Sequence, residues 1–195
     1  MKFDLDKVIL VRSEYHQYHG EGTYHNQFAL DVERALKSEP KPYLEFCERN
    51  SLLSGTARIE FHHNKEVRVK VVPNVRGRHV YYFHEFRGLN GEYDPNVGYI
   101  ALFAVEDALA GVGRAERITL VLPHIPYLRG DWNPESRVPI MAKSLATLTE
   151  TGSLGKLSHV ISLDFHSPQE VAFYNYQRPD DLPFRPVIAL SLIHI

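Results

Sequence analysis

The stretch ITLVL, from Ile118 to Leu122, decides the fold of this chain. A continuous apolar run of β-branched residues and leucine is typical of a strand buried on both faces of a parallel sheet. A helix is predicted just before it, because apolar residues from Val97 to Leu109 form one stripe and Gly111 is placed to end the helix. A second buried run, Val160 to Leu163, follows later. The stretch therefore lies in a chain that alternates between strands and helices.

A second helix is predicted between the two buried runs. Ser136 is a suitable N-cap for a helix from Arg137 to Thr151, and Gly152 is placed to end it. The order strand, helix, strand, helix, strand implies right-handed crossovers between parallel strands. We therefore predict an α/β fold: a doubly wound, mostly parallel sheet with helices on both faces.

Upstream of the first helix, residues 57–72 predict a β-hairpin. Two alternating runs, Arg58 to Phe61 and Val67 to Val71, flank a polar turn at His62 to Lys65. A third run, His79 to Phe83, predicts a further strand.

Residues 1–56 are harder to read. They hold a short apolar run at Val8 to Val11 and two expected helices broken at Pro40 and Pro42. We therefore expect a partly helical extension over residues 1–56 and a domain over residues 57–189.

Composition excludes several classes of protein. The net charge of -2 argues against nonspecific binding of nucleic acid, which depends on clustered Lys and Arg. No apolar run approaches the ~20 residues that span a bilayer, and Met1 to Asp6 does not resemble a signal peptide. A single cysteine, Cys47, fits a reducing compartment. We therefore expect a cytoplasmic protein with no membrane partner.

Polar residues follow two of the predicted strands. Ligands of open α/β sheets bind outside the carboxyl ends of the strands, which here are the residues after Leu122 and Leu163. Arg129 and Asp131 follow the first strand, and Asp164 and His166 follow the second. A cation for phosphate oxygens, carboxylates and an imidazole able to bind metal indicate nucleotide binding or metal-assisted phosphoryl transfer.

These residues also have simpler interpretations. An Arg-x-Asp pair on a loop is commonly an exposed ion pair of little energetic value, and His166 is also consistent with a structural histidine. A metal cluster of His16, His19 and His25 is disfavoured because the spacing lacks the fourth ligand of a structural zinc site.

At the same residues the sequence resembles the phosphoribosyl pyrophosphate synthetases, also called ribose-phosphate diphosphokinases. The family's Pro-Tyr-x-x-Tyr-x-Arg-Gln-Asp loop is similar to residues 123–131, and its Ser-Arg-x-Pro-Ile-x-Ala-Lys segment is similar to residues 136–143. The family's Asp-Leu-His-x-x-Gln element resembles residues 164–169, and its Val-Arg-Gly segment resembles residues 75–77. Several elements in the same order make the resemblance specific.

The resemblance implies transfer of the β,γ-diphosphoryl group of ATP to the C1 hydroxyl of ribose 5-phosphate. It implies that Arg129 contacts ATP with Asp131 beside it, and that His166 helps to hold Mg²⁺ with the nucleotide. Asp164 is the expected partner that orients the His166 ring.

The resemblance also implies an oligomer. In the family, a Phe-Ser-Asp-Gly-Glu hairpin reaches the nucleotide of an adjacent subunit of a closed homo-oligomer. Glu66 matches its Glu, and Phe61 matches its Phe if one residue is inserted in the turn. Arg76 and Arg137 match positions that line the family's regulatory phosphate site. We therefore expect a homo-oligomer for the full-length protein.

The sequence departs from the family pattern at three places. Gly130 replaces the family's Gln, and the turn from His62 to Lys65 lacks the Asp-Gly pair. The second domain, where the family's catalytic residues are expected, is absent from the sequence. The segment from Leu190 to Ile195 resembles a translated sequencing adapter, so we expect it to be a non-native tail. The parent is then a ribose-phosphate diphosphokinase and this chain alone is inactive.

Two other functions stay open. One is a catalytically silent homologue that assembles with active synthetases and regulates them, which Gly130 and the altered hairpin turn favour. The other is a separate nucleotide-binding module of the same fold.

Overall fold

A computed structural model describes residues 7–16, 23–25, 53–133, 135–163, 165–175 and 179–182. Its strands are β1 (Val8–His16), β2 (Thr23–His25), β3 (Leu53–Phe61), β4 (Val67–Val71), β5 (His79–Phe83), β6 (Arg117–Leu122), β7 (Leu157–Leu163) and β8 (Asp180–Leu182). Its helices are α1 (Pro95–Asp107) and α2 (Met141–Gly152), with a π-helical turn at Ala108–Val112 and a 3₁₀ turn at Glu170–Phe173.

These strands form one sheet in the order β4-β3-β1-β5-β6-β7-β8, with β2 paired to β1. The pairs β3/β4 and β1/β2 are antiparallel, and the remaining described pairs are parallel. The mostly parallel α/β fold predicted from the sequence is confirmed. The hairpin is confirmed too, since Phe61 pairs with Val67 across the predicted turn.

Strand β1 belongs to the same sheet as the strands of the domain expected over residues 57–189. β1 pairs with β3 from Ile9 to Tyr15 and with β5 from Val8 to Arg12, so residues 8–16 lie inside the sheet. The apolar run gave no sign of this position, because the neighbours of a parallel strand are set by distant parts of the chain. The helices expected around Pro40 and Pro42, and the tail from residue 190, lie outside the described residues.

The main core lies between the sheet and the two described helices, which contact each other. Leu102 and Val105 of α1 are fully buried and belong to the same core cluster as Ile118 and Leu120 of β6. Burial of each such side chain contributes about 1.5–3 kcal/mol relative to exposure. Val121 belongs to a smaller cluster with Phe83, because successive side chains of a strand point to opposite faces. Ala101, Val105 and Leu109 of the predicted stripe are therefore core, whereas Ile100 is 58% exposed.

Helix α1 has a strong start and an unusual end. Asp94 caps it by accepting hydrogen bonds from the backbone N–H groups of Asn96 and Val97. At the other end the Gly113 N–H donates to the Ala108 carbonyl over 2.8 Å, a wide turn that holds one residue more than an α-helical turn. Gly111 therefore lies within the π-helical turn and does not end the helix as predicted.

Helix α2 begins at Met141, four residues later than the sequence suggested. Arg137 has φ 72°, in the left-handed region, and cannot continue a right-handed helix. Pro139 also disfavours helical geometry at the residue before it. Ser136 is therefore not the cap, and the Gly130 carbonyl instead accepts a hydrogen bond of 3.2 Å from the Ala142 N–H in the first turn.

Glu106 is a buried carboxyl group in the middle of the fold. Its exposure is 0%, and neither of its oxygens has a hydrogen-bond partner among the described residues. The absence of a side chain at Gly152 leaves room for the Glu106 carboxyl group, because a Cβ atom at Gly152 would lie only 2.9 Å from Oε2. Burial raises the pKa of Glu106 well above its usual value. The folded state thus keeps a proton that the unfolded chain loses above about pH 4.3.

We predict that Glu106 makes the protein less stable as pH rises above about 4.3, because the folded state binds more protons than the unfolded one. Glu106→Met should raise the free energy of unfolding at pH 7 by about 1–3 kcal/mol, the cost of an unsatisfied buried polar group. Urea unfolding between pH 4 and 8 measures this. Glu106→Gln is the control, since it keeps a polar group but removes the titration. Identical pH profiles for the wild type and Glu106→Gln would contradict the prediction.

Candidate functional site

The carboxyl ends of β5, β6 and β7 lie along one edge of the sheet, since these strands are parallel neighbours. The segments that leave this edge span residues 84–94, 123–140 and 165–169. Phe83 pairs with Val121 and Leu122 pairs with Ser162, so the three segments start close together. The edge therefore gathers most of the polar residues that the sequence selected.

Asp131 joins the loop after β6 to the loop after β7. Its Oδ2 accepts hydrogen bonds of 2.8 Å from the Ser167 hydroxyl and 2.8 Å from the Gln169 amide. The Gln169 bond, then the Ser167 bond, lowers the pKa of Asp131, and nearby His166 lowers it further. Asp131 is therefore a carboxylate at neutral pH and lies close to His166.

Backbone contacts position His166 and leave its ring exposed. The His166 N–H donates to Oε2 of Glu170 over 3.0 Å, at the start of the 3₁₀ turn. Glu170 is buried, and its Oε1 has no hydrogen-bond partner in the part of the chain that the structure describes. Burial raises the pKa of this carboxyl. The imidazole is thus held at the edge by its own main chain and can meet a ligand.

Arg129 is an exposed cation on a firmly held loop. Within the described ranges its guanidinium has no ion pair or hydrogen bond. The loop is held by the Gly130 N–H, which donates to the Tyr127 carbonyl over 2.9 Å, and by the Tyr99 hydroxyl, which donates to the Pro126 carbonyl over 3.2 Å. Arg129 is therefore available to an anion such as a phosphate group.

The edge fits a magnesium ion that arrives with phosphate oxygens. No group of three or more His, Cys, Asp or Glu side chains among the described residues is arranged to hold a metal ion. Mg²⁺ rarely occupies an all-protein cage and is commonly bound by one or two protein groups plus phosphates and water. His166 and Asp131 are suitable for that limited role. Asp164, the expected partner of His166, lies outside the described residues.

The hairpin residues are not brought to this site within one chain. Glu66 is exposed in the turn after β3, and β1 and β5 separate β3 from β6. Three strand spacings amount to about 14 Å. Phe61 is only 7% exposed and packs in the core of its own chain, and its contact with ATP stays a prediction. The alternating pattern of β3, which turns this side chain inward, explains the burial.

Arg76 and Arg137 lie at opposite edges of the sheet. Arg76 precedes β5, next to Gly77, whose N–H donates to the Arg114 carbonyl just before β6. Arg137 belongs to the loop that leaves the carboxyl end of β6. One chain therefore does not combine the two cations into a single phosphate site.

Three residues that fix the geometry of the edge were not predicted as site residues from the sequence: Ser167, Gln169 and Glu170. Ser167 and Gln169 belong to the motif that carries the resemblance, so that motif contained the signal. His84, which directly follows β5, was also not predicted as a site residue. The rule that ligands bind outside the carboxyl ends of the strands applies to β5 as well and would have selected it.

Comparison with known proteins identifies the family. The family model for the N-terminal domain of ribose phosphate pyrophosphokinase matches residues 21–152. The chain belongs to this family. The match begins within the segment that the sequence assigned to an extension, and it includes β2.

Relatives of the ribose phosphate pyrophosphokinase family support the assignment. The ribose-phosphate pyrophosphokinase of Cereibacter sphaeroides is 34% identical over 139 residues, which cover 71% of this chain and 38% of the relative. That of Rhizobium meliloti is 32% identical over 144 residues, covering 73% and 43%. The chain thus spans less than half the length of these relatives.

A solved structure shows the same fold. The phosphoribosylpyrophosphate synthetase of Mycobacterium smegmatis superposes with a TM-score of 0.68 and 22% sequence identity, over 96% of this chain and 52% of that chain. Among the described helices of the present structure, none is long and apolar enough to cross a membrane.

We predict that the pKa of Asp131 lies below the usual value of about 3.9 and returns towards it when its donors are removed. Gln169→Ala should raise this pKa, and the double change with Ser167→Ala should raise it further, because each hydrogen bond favours the charged form. A carboxyl-carbon NMR titration measures the pKa. The stabilisation from these bonds is present above about pH 3.9 and is lost as pH falls through the folded-state pKa. An unchanged pKa in the double variant would refute the assigned hydrogen bonds.

Proposed function

We propose that the whole protein is a ribose-phosphate diphosphokinase, which converts ATP and ribose 5-phosphate to AMP and phosphoribosyl diphosphate. The observation that carries this proposal is the pair of hydrogen bonds from Ser167 and Gln169 to Asp131. They join the two family motifs at one edge of the sheet, with Arg129 two residues from Asp131 and His166 beside it. Membership of the family supports the same reaction.

In this proposal the described residues bind and orient the nucleotide. Arg129 would contact phosphate oxygens, because a guanidinium offers several donors in a fixed plane. When bound, Mg²⁺ would neutralise charge that develops on the phosphate oxygens. His166 and Asp131 would hold that ion, and the Glu170 contact to the His166 main chain would keep the imidazole in place.

The proposal assigns the remaining steps to parts outside this edge. The chain matches less than half of its relatives' length, so ribose 5-phosphate binding and the catalytic residues are assigned to the remainder. Glu66 would serve the nucleotide of a neighbouring copy in a homo-oligomer, since three strand spacings, about 14 Å, separate β3 from β6 in its own chain. Arg76 and Arg137, at opposite edges, would likewise need two copies to form one regulatory phosphate site. The working compartment would be the cytoplasm.

We predict that the 195-residue chain binds Mg·ATP, and that Arg129→Ala weakens this binding ~10–150-fold. This range corresponds to the loss of one charge-assisted hydrogen bond of about 1.5–3 kcal/mol. Isothermal titration calorimetry measures the change. Arg117→Ala is the matched control, because it removes an exposed arginine at the opposite edge, where β6 begins, and should leave ATP binding unchanged. Equal losses in both variants would sink the proposed role of Arg129.

The chain by itself should form no phosphoribosyl diphosphate from ATP and ribose 5-phosphate. A coupled assay with radiolabelled ATP tests this statement, and measurable product would show that the chain supplies the whole site.

A silent regulatory homologue is the second candidate, and Gly130 favours it. The glycine leaves no amide at the position where the family has Gln, and its surroundings are tight. An added Cβ would lie 3.2 Å from the Tyr127 carbonyl oxygen and 3.3 Å from Cβ of Met141. The loop therefore leaves little room for a side chain at residue 130.

Gly130→Gln distinguishes the two candidates. If the glycine is the reason for silence, the substitution should strengthen Mg·ATP binding several-fold once Tyr127 and Met141 shift by a few tenths of an ångström. Gly130→Ala is the control, because it imposes the same steric shift without an amide. Equal effects of the two variants would show that the missing amide is not what limits nucleotide binding.

A further inference from the structure

A cavity lies outside the carboxyl ends of β5 and β6. It has a volume of about 230 Å³ and is lined by Glu85, Arg87, Tyr93 and His124 above a floor of His84 and Phe86. Open α/β sheets bind ligands outside the carboxyl ends of their strands. The neighbouring pair of β1 and β5 is the point where the strand order changes direction, since β3 lies on one side of β1 and β5, β6 and β7 follow in order on the other side. None of these residues is needed for the proposed binding of ATP phosphates.

The floor of this cavity is rigid and uncharged. His84 is fully buried, and its Nε2 lies 3.0 Å from the Gly98 carbonyl oxygen while its Nδ1 lies 2.8 Å from the Tyr82 hydroxyl. A carbonyl only accepts, so Nε2 carries the proton and Nδ1 accepts from Tyr82. Burial lowers the pKa of His84 to about 3. The floor therefore stays neutral at physiological pH.

The segment after β5 forms one wall of the cavity, and hydrogen bonds to β1 fix its position. The Tyr15 hydroxyl donates to the Glu85 carbonyl over 2.5 Å, and the Glu85 N–H donates to the Ser13 hydroxyl over 3.4 Å. Beyond it, Arg87 and Tyr93 form an antiparallel bridge, so residues 87–93 make a short arm. The Gly88 N–H closes the arm by donating to the Glu92 carbonyl over 2.8 Å. The cavity is thus formed in advance of any ligand.

Glu85 and Arg87 supply an acceptor next to a donor. Arg87 Nε lies 2.7 Å from Glu85 Oε2, and Arg87 Nη1 donates to the Gly91 carbonyl over 2.7 Å. Among the contacts in the described ranges, Arg87 Nη2 and Glu85 Oε1 make none, and both side chains are partly exposed. The pair carries no net charge, so the site offers a fixed acceptor and donor without attracting a polyanion.

Two rings complete the cavity. The hydroxyl of Tyr93 lies 3.2 Å from Nε2 of His124, and the ring centroids are 5.8 Å apart. Tyr93 is 58% exposed, so a ligand has access to its face. Aromatic faces bind planar heterocycles by stacking, while the volume is below the ~300–1,000 Å³ of pockets for drug-sized ligands.

We propose that this cavity binds an uncharged planar heterocycle of nucleobase size, which stacks on Tyr93 and pairs its edge with Glu85 and Arg87. The base has two possible sources: a free base or nucleoside, or the base of the nucleotide whose phosphates meet Arg129. The inference stands on the cavity itself and does not require that the chain bind ATP phosphates.

Adenosine titrated into the 195-residue chain, followed by amide NMR shifts of residues 84–94, tests the proposal. Saturable binding is expected. Tyr93→Ala should weaken it ~5–150-fold, the range for loss of one base-stacking ring, while Tyr93→Phe keeps the ring and most of the affinity. N6,N6-dimethyladenosine keeps the purine but loses the donor for Glu85, so it should bind more weakly than adenosine. Unchanged thermal midpoints establish that the variants are folded.

Two further measurements are needed. One distinguishes a free base or nucleoside from the base of the nucleotide, and the other separates this proposal from the proposed binding of ATP phosphates. Equal losses of adenosine and Mg·ATP affinity in Tyr93→Ala identify the base of the nucleotide as the ligand, and a loss for adenosine alone identifies a separate nucleoside. Arg129→Ala should leave adenosine binding unchanged, so failure of the ATP proposal does not affect this test. Absence of saturable adenosine binding, or equal affinity in the wild type and Tyr93→Ala, would overturn the inference.

Discussion

The pairing of β1 with both β3 and β5 is the constraint on which the rest of the structure depends. In the described part of the chain, β3 and β4 lie on one side of β1, and β5 to β8 lie on the other side. No other described strand pairing connects the two groups. The parallel direction of β1 and β5 also aligns the carboxyl ends at one edge. Both proposed ligand sites exist because these strands end together.

The sequence predicted what local patterns encode. Strand β6, the hairpin of β3 and β4, and the apolar face of α1 follow from periodicity, since each buries one repeating set of side chains. The sequence did not reveal the role of β1, because its buried positions include Ser13 and Glu14 as well as apolar residues. Only pairing with distant strands makes those positions internal. Likewise, the left-handed backbone at Arg137, which delays α2, has no signature in the residue type.

The same distinction holds for the site. Arg129, Asp131 and His166 were selected because they follow strands, and the contacts of Asp131 place the two loops together. Phe61 was selected from a motif alone, and the motif carried no information about which face of β3 it occupies. His84 was missed because its neighbours, Tyr82 and Gly98, are recognised only in three dimensions. The order of residues along the chain thus predicted which residues lie at the carboxyl ends of the strands. The direction of each side chain could be read only from the three-dimensional fold.

The π-helical turn at Ala108–Val112 has a consequence for how this chain tolerates changes in length. Its hydrogen bond from Gly113 to Ala108 encloses one residue more than an α-helical turn, so the surplus is absorbed before β6 begins. The inward face of α1 keeps its phase, and Leu109 stays buried. The Val75 side chain packs closely against the wide turn, since an added Cβ at Gly113 would lie 2.6 Å from it. We therefore expect that a single insertion or deletion in this turn leaves the sheet register unchanged, because the end of the helix can take up the difference in length.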